Sequence, residues 1–209
     1  MRRSALTARQ VLLIDQFEDI PILLFGCYQT QWLQMVGNPN QLNPQQSSAI
    51  VALDKRTGEE RWRVDRPNRT RSYCAPLIVD AAGKKQMVLS GSKCVTSYDP
   101  DTGEVHWYLK GPTEQYVASL VYNEKADLLF LTAGFPQHHL LGLRHNGSGD
   151  LGDIYHQADI NHPQVAWHHT KATMVSYVPS PISAGDYFLV IGDTGHANCL
   201  DAKTGEPLW

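Results

Sequence analysis

The chain has 209 residues, 42% hydrophobic and 19% charged, with a formal net charge of -3 and a pI near 6.3. That balance is globular and too apolar for a disordered chain. With no Lys/Arg block it excludes a nucleic-acid footprint, which needs a basic patch or stripe. No apolar run approaches the ~18 residues of a membrane helix. Short Val/Ile/Leu/Tyr runs broken by Gly, Pro, Asn and Asp predict a mostly β chain.

At the N-terminus, "MRR" precedes two apolar runs, "VLLI" (11–14) and "PILLFGC" (21–27). Leu-Phe-Gly-Cys27 has the form of a lipoprotein cleavage box. Asp15, Glu18 and Asp19 separate the runs, whereas a signal sequence needs about 7–15 uninterrupted apolar residues. The expectation is therefore no export signal in this chain, with the two runs supplying early strands. "NPNQLNPQQSS" (38–48) reads as a polar loop.

"ALDKRTGEERW" (52–62) introduces a frame, Asp-x-x-Thr-Gly-Glu-x-x-Trp. It returns in "SYDPDTGEVHW" (97–107) and "CLDAKTGEPLW" (199–209). Asp54 to Asp99 and Trp62 to Trp107 are both 45 residues. Another 45 residues lead to Arg144, in "LGLRHNGSGD", where the Asp is lost and the Trp is displaced to Trp167 in "QVAWHH". Arg144 to Asp201 is 57 residues, 12 more than the repeat. The excess is placed in an insertion at 147–163, "GSGDLGDIYHQADINHP". Upstream, "MVLSGSKCVTSYD" (87–99) aligns with "LVIGDTGHANCLD" (189–201) without a gap, and "YCAPLIV" (73–79) resembles "VPSPISA" (178–184).

Each motif residue has a physical role. Asp54, Asp99 and Asp201 can accept bonds from backbone N–H groups two or three residues on, and Thr57, Thr102 and Thr204 can do so more weakly. Gly58, Gly103 and Gly205 supply the positive φ of a tight hairpin. A large ring at a fixed place (Trp62, Trp107, Trp167, Trp209) fills the gap to the next unit, where its N–H can find a carbonyl. Four short antiparallel strands every 45 residues are the signature of a β-propeller blade. The expected fold is all-β: about four four-stranded blades at 8–66, 72–111, 116–171 and 175–209, in one domain spanning 1–209.

The frame resembles the tryptophan-docking motif (Ala-x-Asp-x-x-Thr-Gly-x-x-x-Trp) of the PQQ-like repeat family, which holds quinoprotein alcohol dehydrogenases and BamB-type scaffolds. The resemblance covers 49–209 and, less closely, the first 48 residues. It implies an eight-bladed ring of which this chain is half, a piece of a longer protein or a half-propeller that pairs with another. It also implies an extracytoplasmic, periplasmic location and a protein partner or small ligand. The function expected on this footing is a non-enzymatic interaction or ligand-binding scaffold. The alternative is part of a dehydrogenase that uses pyrroloquinoline quinone with calcium. Quinone-binding members clamp the cofactor with a vicinal disulfide, stack it on a tryptophan and hold Ca²⁺ through carboxylate and amide oxygens. Here no two cysteines are adjacent, and Trp32 is the one tryptophan outside the docking positions.

Cys27, Cys74, Cys94 and Cys199 form no C-x-x-C pair, so they read as buried thiols on strands, the alternative being a disulfide whose pairing sequence cannot assign. Seven of nine histidines lie between 138 and 169, and imidazole suits Zn, Cu, Fe or Ni. His156, His162 and His168 are the candidate ligands of a metal site in the insertion. No fixed metal spacing accompanies them, and neighbouring histidines on a strand point to opposite faces. The alternative is a polar, partly exposed loop. "GSGDLGD" (147–153) matches no phosphate-binding loop and is expected to be flexible. "DTG" (193–195) reads as a hairpin in register with "GSK" (91–93).

Overall fold

The computed structural model describes residues 11–12, 22–26, 48–54, 56–66, 73–91 and 93–209. Cys27, Trp32 and the polar loop up to residue 47 lie outside them. The chain divides into two compact units, Met1–Arg69 and Thr70–Trp209. Every regular element among the described residues is a β-strand.

The first unit is one antiparallel sheet in sequence order: β1 (Val11–Leu12), β2 (Ile22–Gly26), β3 (Ser48–Asp54) and β4 (Glu60–Arg66). The Asp54 turn joins β3 to β4. Arg56 N and Thr57 N both donate to Asp54 Oδ1, at 2.9 and 3.0 Å. Glu59 N donates to Thr57 Oγ1 at 3.2 Å, and Gly58 adopts φ +73°.

The second unit holds three sheets. The first comprises β5 (Leu77–Ala81), β6 (Lys84–Gly91), β7 (Cys94–Tyr98) and β8 (Val105–Lys110). The next is built from β9 (Val121–Asn123), β10 (Leu128–Ala133), β11 (His139–Leu143) and, after β12 (Gly149–Asp153), β13 (Val165–His169). The last has β14 (Ile182–Ala184), β15 (Tyr187–Ile191) and β16 (Ala197–Asp201). These are blades of a partial β-propeller; counted from the N-terminus, the unit carries the second, third and fourth.

The turns after β7 and β16 repeat the Asp54 pattern bond for bond. Asp99 Oδ1 accepts from Asp101 N and Thr102 N at 2.8 and 3.0 Å. Asp201 Oδ1 accepts from Lys203 N and Thr204 N at 3.0 and 2.8 Å. Each spends a local side-chain oxygen on amides that the reversal strips from the ladder.

The third blade departs from this pattern. Arg144 N donates to Gln164 O at 2.8 Å, as Asp99 N donates to Glu104 O at 2.7 Å. The whole excursion thus replaces the turn. It does not hang free. Residues 149–153 run as β12 along the outer edge of the second blade, parallel to β8, with Gly149 opposite Trp107 and Asp150 opposite Tyr108. The expected flexible "GSGDLGD" segment is therefore a fifth strand of the neighbouring blade. It is anchored by Tyr108 Oη donating to Asp150 Oδ2 at 2.6 Å. Unpaired backbone groups on the outer side of β8 are what it satisfies. The fourth blade also departs from four strands. Pro207, opposite Leu200, has no N–H for the ladder, and the last segment is held by Leu208 N to Cys199 O at 2.8 Å and Cys199 N to Trp209 O at 3.0 Å.

Burial follows position. β10 is buried along its whole length, both faces covered, and reads as an unbroken "LLFLTA". In β15, Phe188 and Val190 are buried while Tyr187 and Ile191 are exposed, the period-two pattern of a sheet covered on one side. The seam between the third and fourth blades is a continuous core of Leu128, Phe130, Leu140, Trp167, Val175, Phe188, Val190 and Leu200. Full burial of such side chains stabilises by roughly 1.5–3 kcal/mol each.

Candidate functional site

One surface of the second unit gathers the β6–β7 hairpin, the 111–120 connection, the β10–β11 hairpin and residues 154–157 from the insertion. Backbone bonds tie these pieces together. Gly111 N donates to Lys93 O at 2.6 Å, Ile154 N to Lys110 O at 2.9 Å, His156 N to Pro112 O at 3.2 Å and Gln115 N to Phe135 O at 3.2 Å. Gly111, at φ +89°, lets Tyr155 close in: a Cβ there would stand 2.5 Å from Tyr155 N.

On this frame Tyr155 Oη donates to Glu114 Oε1 at 2.7 Å, Lys93 Nζ lies 3.6 Å from Glu114 Oε1, and it sits 5.3 Å over the Tyr155 ring. The Tyr155 and His156 rings are 3.8 Å apart between centroids, and His156 Nδ1 lies 3.3 Å from Gln137 Oε1. Lys93 and His156 both hold left-handed φ, at +63° and +59°, unusual for non-glycine residues. The surface continues to Tyr177, whose Oη donates to Gln115 Oε1 at 2.9 Å and whose N donates to Asp193 Oδ2 at 2.6 Å. Phe135 and Val178 stand exposed beside it.

The electrostatics here are those of fixed charges. The Tyr155 hydrogen bond, then Lys93, holds Glu114 below the usual carboxylate range. The contact with Tyr155, then the charge of Glu114, raises Lys93. Burial, then the bond to Glu114, pushes Tyr155 up. All three move away from neutral pH, whereas a general acid or base works best near it. A locked ion pair beside aromatic rings suits recognition.

His168 is placed against a histidine the sequence did not single out. His139 Nδ1 is 3.0 Å from His168 Nε2, with the rings stacked at 5.2 Å. The register pairs Leu141 with His168, so His139, two residues back, shares that face as a diagonal neighbour. Burial, then His168, lowers His139 to about 4; burial, then His169, lowers His168. The unfolded imidazole binds its proton near pH 6.5 and the folded His139 only near 4, so the folded state loses stability as pH falls through that window. Urea midpoints are expected to drop from pH 7 to pH 4.5. His139→Leu should flatten that drop, and an unchanged drop would remove His139 as its source.

His162 Nε2 lies 2.9 Å from Leu151 O, and its Nδ1 accepts from Gln164 N at 3.2 Å. His156, His162 and His168 thus each face a different partner. Among the described residues no three His, Cys, Asp or Glu side chains converge as a metal site requires.

The described cysteines and the two buried tryptophans are not arranged as the clamp and stacking ring of the quinone-binding members. Cys74, Cys94 and Cys199 are separate thiols. Trp107 and Trp167 are buried and committed: Trp107 Nε1 donates to Gln86 Oε1 at 3.0 Å and Trp167 Nε1 to Ala202 O at 3.2 Å. Trp167 reaches a carbonyl of the next blade; Trp107 finds a side-chain amide in its own.

The family model described as outer membrane protein assembly factor BamB matches residues 35–148. No curated protein matches the chain in sequence. Among solved structures, a europium-containing methanol dehydrogenase is 16% identical over 77% of this chain and 38% of its own, with a TM-score of 0.52. BamB from Moraxella catarrhalis is 13% identical over 90% of this chain and 57% of its own, with a TM-score of 0.42. Quinohemoprotein alcohol dehydrogenase from Comamonas testosteroni is 13% identical over 77% of this chain and 34% of its own, with a TM-score of 0.48. The chain therefore spans less than two thirds of each of these structures, and at such identities the likeness is one of fold.

Proposed function

The chain belongs to the PQQ-like repeat family of outer membrane protein assembly factor BamB, and we propose that within it the chain is a non-enzymatic scaffold that binds another protein. The surface offered is the one built by Lys93, Glu114, Tyr155, Phe135 and Val178. One observation carries this reading: the charged and hydroxyl groups of that surface are held in mutual contacts, Tyr155 to Glu114 at 2.7 Å and Lys93 beside both, while apolar side chains stand exposed beside them. A surface of paired charges and exposed apolar side chains supports recognition. No helix among the described residues is long and apolar enough to cross a membrane. An extracytoplasmic setting, with the scaffold acting beside a membrane, agrees with the family.

Two measurements test the reading. Titration with pyrroloquinoline quinone and Ca²⁺ is expected to leave protein fluorescence unquenched; saturable, Ca²⁺-dependent quenching would move the chain to the dehydrogenase reading. A photo-crosslinker at Phe135 is expected to trap one protein in the native host. The same group at Lys203, in the Asp201 turn, is expected to trap none, and equal labelling from both positions would remove this surface as the binding face.

A further inference from the structure

The excursion of the third blade turns back on itself. Residues 149–153 follow the edge of β8 as β12, and the return leg is bound to them by His162 Nε2, 2.9 Å from Leu151 O. The tip between the two legs is seated by two apolar side chains, Ile154 at 0% and Ile160 at 7% exposure, with residues 156–159 exposed between them. Its backbone is tied to the second blade at Ile154 N and His156 N, which donate to Lys110 O and Pro112 O.

Beside this tip lies the imidazole pair. His139 opens β11 and His168 stands near the end of β13, and Gln137, two residues before His139, meets His156 of the tip. The facing nitrogens of the pair, 3.0 Å apart, have room for one N–H between them. His139 is 1% exposed, and its Nε2 is buried with no hydrogen-bond partner among the described residues. The groups acting on the pair are His138 beside β11, His169 from β13, and His156 and Asp159 from the tip. Asp159 is the carboxylate among them and acts on His168; Glu114, in the connection after β8, is paired electrostatically with His156. A proton added to His139 therefore meets other imidazoles, and a buried cation without an acceptor is costly.

We propose that residues 154–164 form an acid-released clasp: protonation of the His139–His168 pair frees the tip and return leg while the strand ladders stay closed. The tip yields first because β11 is laddered on both sides, to β10 and to β13, whereas the tip rests on a few bonds and two apolar anchors. Segments held in that way open at the lowest free energy. Opening lets both rings reach water and take protons at the ordinary imidazole value, so acid draws the equilibrium toward the open form. The tip carries Tyr155, so release also dismantles the Lys93–Glu114–Tyr155 surface. That consequence for binding rests on the scaffold reading; the release itself does not and is tested without a partner.

Peptide-resolved hydrogen exchange of the whole chain, corrected for the intrinsic effect of pH on exchange, reads the clasp directly. From pH 7 to pH 5 the protection of residues 154–164 is expected to fall at least about tenfold, while that of β10 (Leu128–Ala133) holds. His139→Leu removes the buried titrating ring and is expected to keep the clasp equally protected at both pH values. Should that variant fail to fold, the unaltered chain still decides the matter. Its opening constant must rise close to tenfold per pH unit between about pH 6 and 4.5, the slope of one proton taken up on opening. Protection of 154–164 that ignores pH overturns the proposal. So does a loss that runs in step with β10, which is unfolding of the whole unit, or a loss that His139→Leu leaves undiminished.

Discussion

Trp167→Ala is expected to destabilise the Thr70–Trp209 unit by about 4 kcal/mol, the usual cost of truncating a buried tryptophan. The ring is packed on three sides. Its centroid is 5.4 Å from Phe130 and 6.0 Å from Phe188, and it fills the hollows over Gly142 and Gly205. The hollows cannot collapse, because backbone on both sides is pinned in hydrogen-bonded ladders. The indole N–H bond to Ala202 O is lost as well. The check is a urea unfolding curve with a lowered midpoint and an unchanged slope. Trp209→Ala should change stability by no more than about 0.5 kcal/mol, as exposed positions do. Equal losses from the two changes would mean that Trp167 owes nothing to its seat.

Gln86→Leu is expected to cost about 3 kcal/mol, although it replaces a polar side chain by an apolar one of similar size in a buried position. Gln86 is fully buried and its amide is used to capacity. Oε1 accepts from Trp107 Nε1 at 3.0 Å and from Ser97 Oγ at 2.8 Å. Nε2 donates to Ala81 O at 3.0 Å and to His145 O, in the third blade, at 3.3 Å. Leucine leaves two donors and two carbonyls without partners in a dry seam, each worth about 1–3 kcal/mol when stranded, with partial relief from the apolar gain. Ser97→Ala removes one bond of the four and should cost about 1 kcal/mol. A Gln86→Leu loss no larger than that of Ser97→Ala would show that the network carries no cooperative weight.

The parts of this fold that are legible in the sequence are those made by local bonds. Asp54, Asp99 and Asp201 bind amides two and three residues away, so their spacing alone carries the turn. Trp167 is recognisable, although displaced, because only a large ring fills the place between Gly142 and Gly205. The parts that escape are non-local. β12 pairs in parallel with β8 across more than 40 positions of sequence, and its Gly/Asp composition carries no strand pattern. The rule that adjacent histidines on a strand face apart holds for His168 and His169, yet it is silent on His139 meeting His168 from the next strand. Gln86 stands between two lysines and the apolar "MVL" of β6, where nothing in the sequence marks the amide that its neighbours depend on. The Lys93–Glu114–Tyr155 surface draws one residue each from three separated segments, so no motif announces it.

The route of β12 has a consequence for how the unit comes apart. A stack of blades is ordinarily a one-dimensional array in which each repeat is coupled only through the seam it shares with its neighbour, and it can unravel one repeat at a time. Here the third blade cannot peel away alone. Its own outer strand, β13, follows directly on a segment laid along the outer edge of the second blade, so pulling out β13 drags the covering from β8. The second and third blades are thereby threaded into a single cooperative block. Among the described residues the fourth blade is joined to the third through their seam and connection, with no strand laid across, so this seam lacks the extra tie that the second and third blades share.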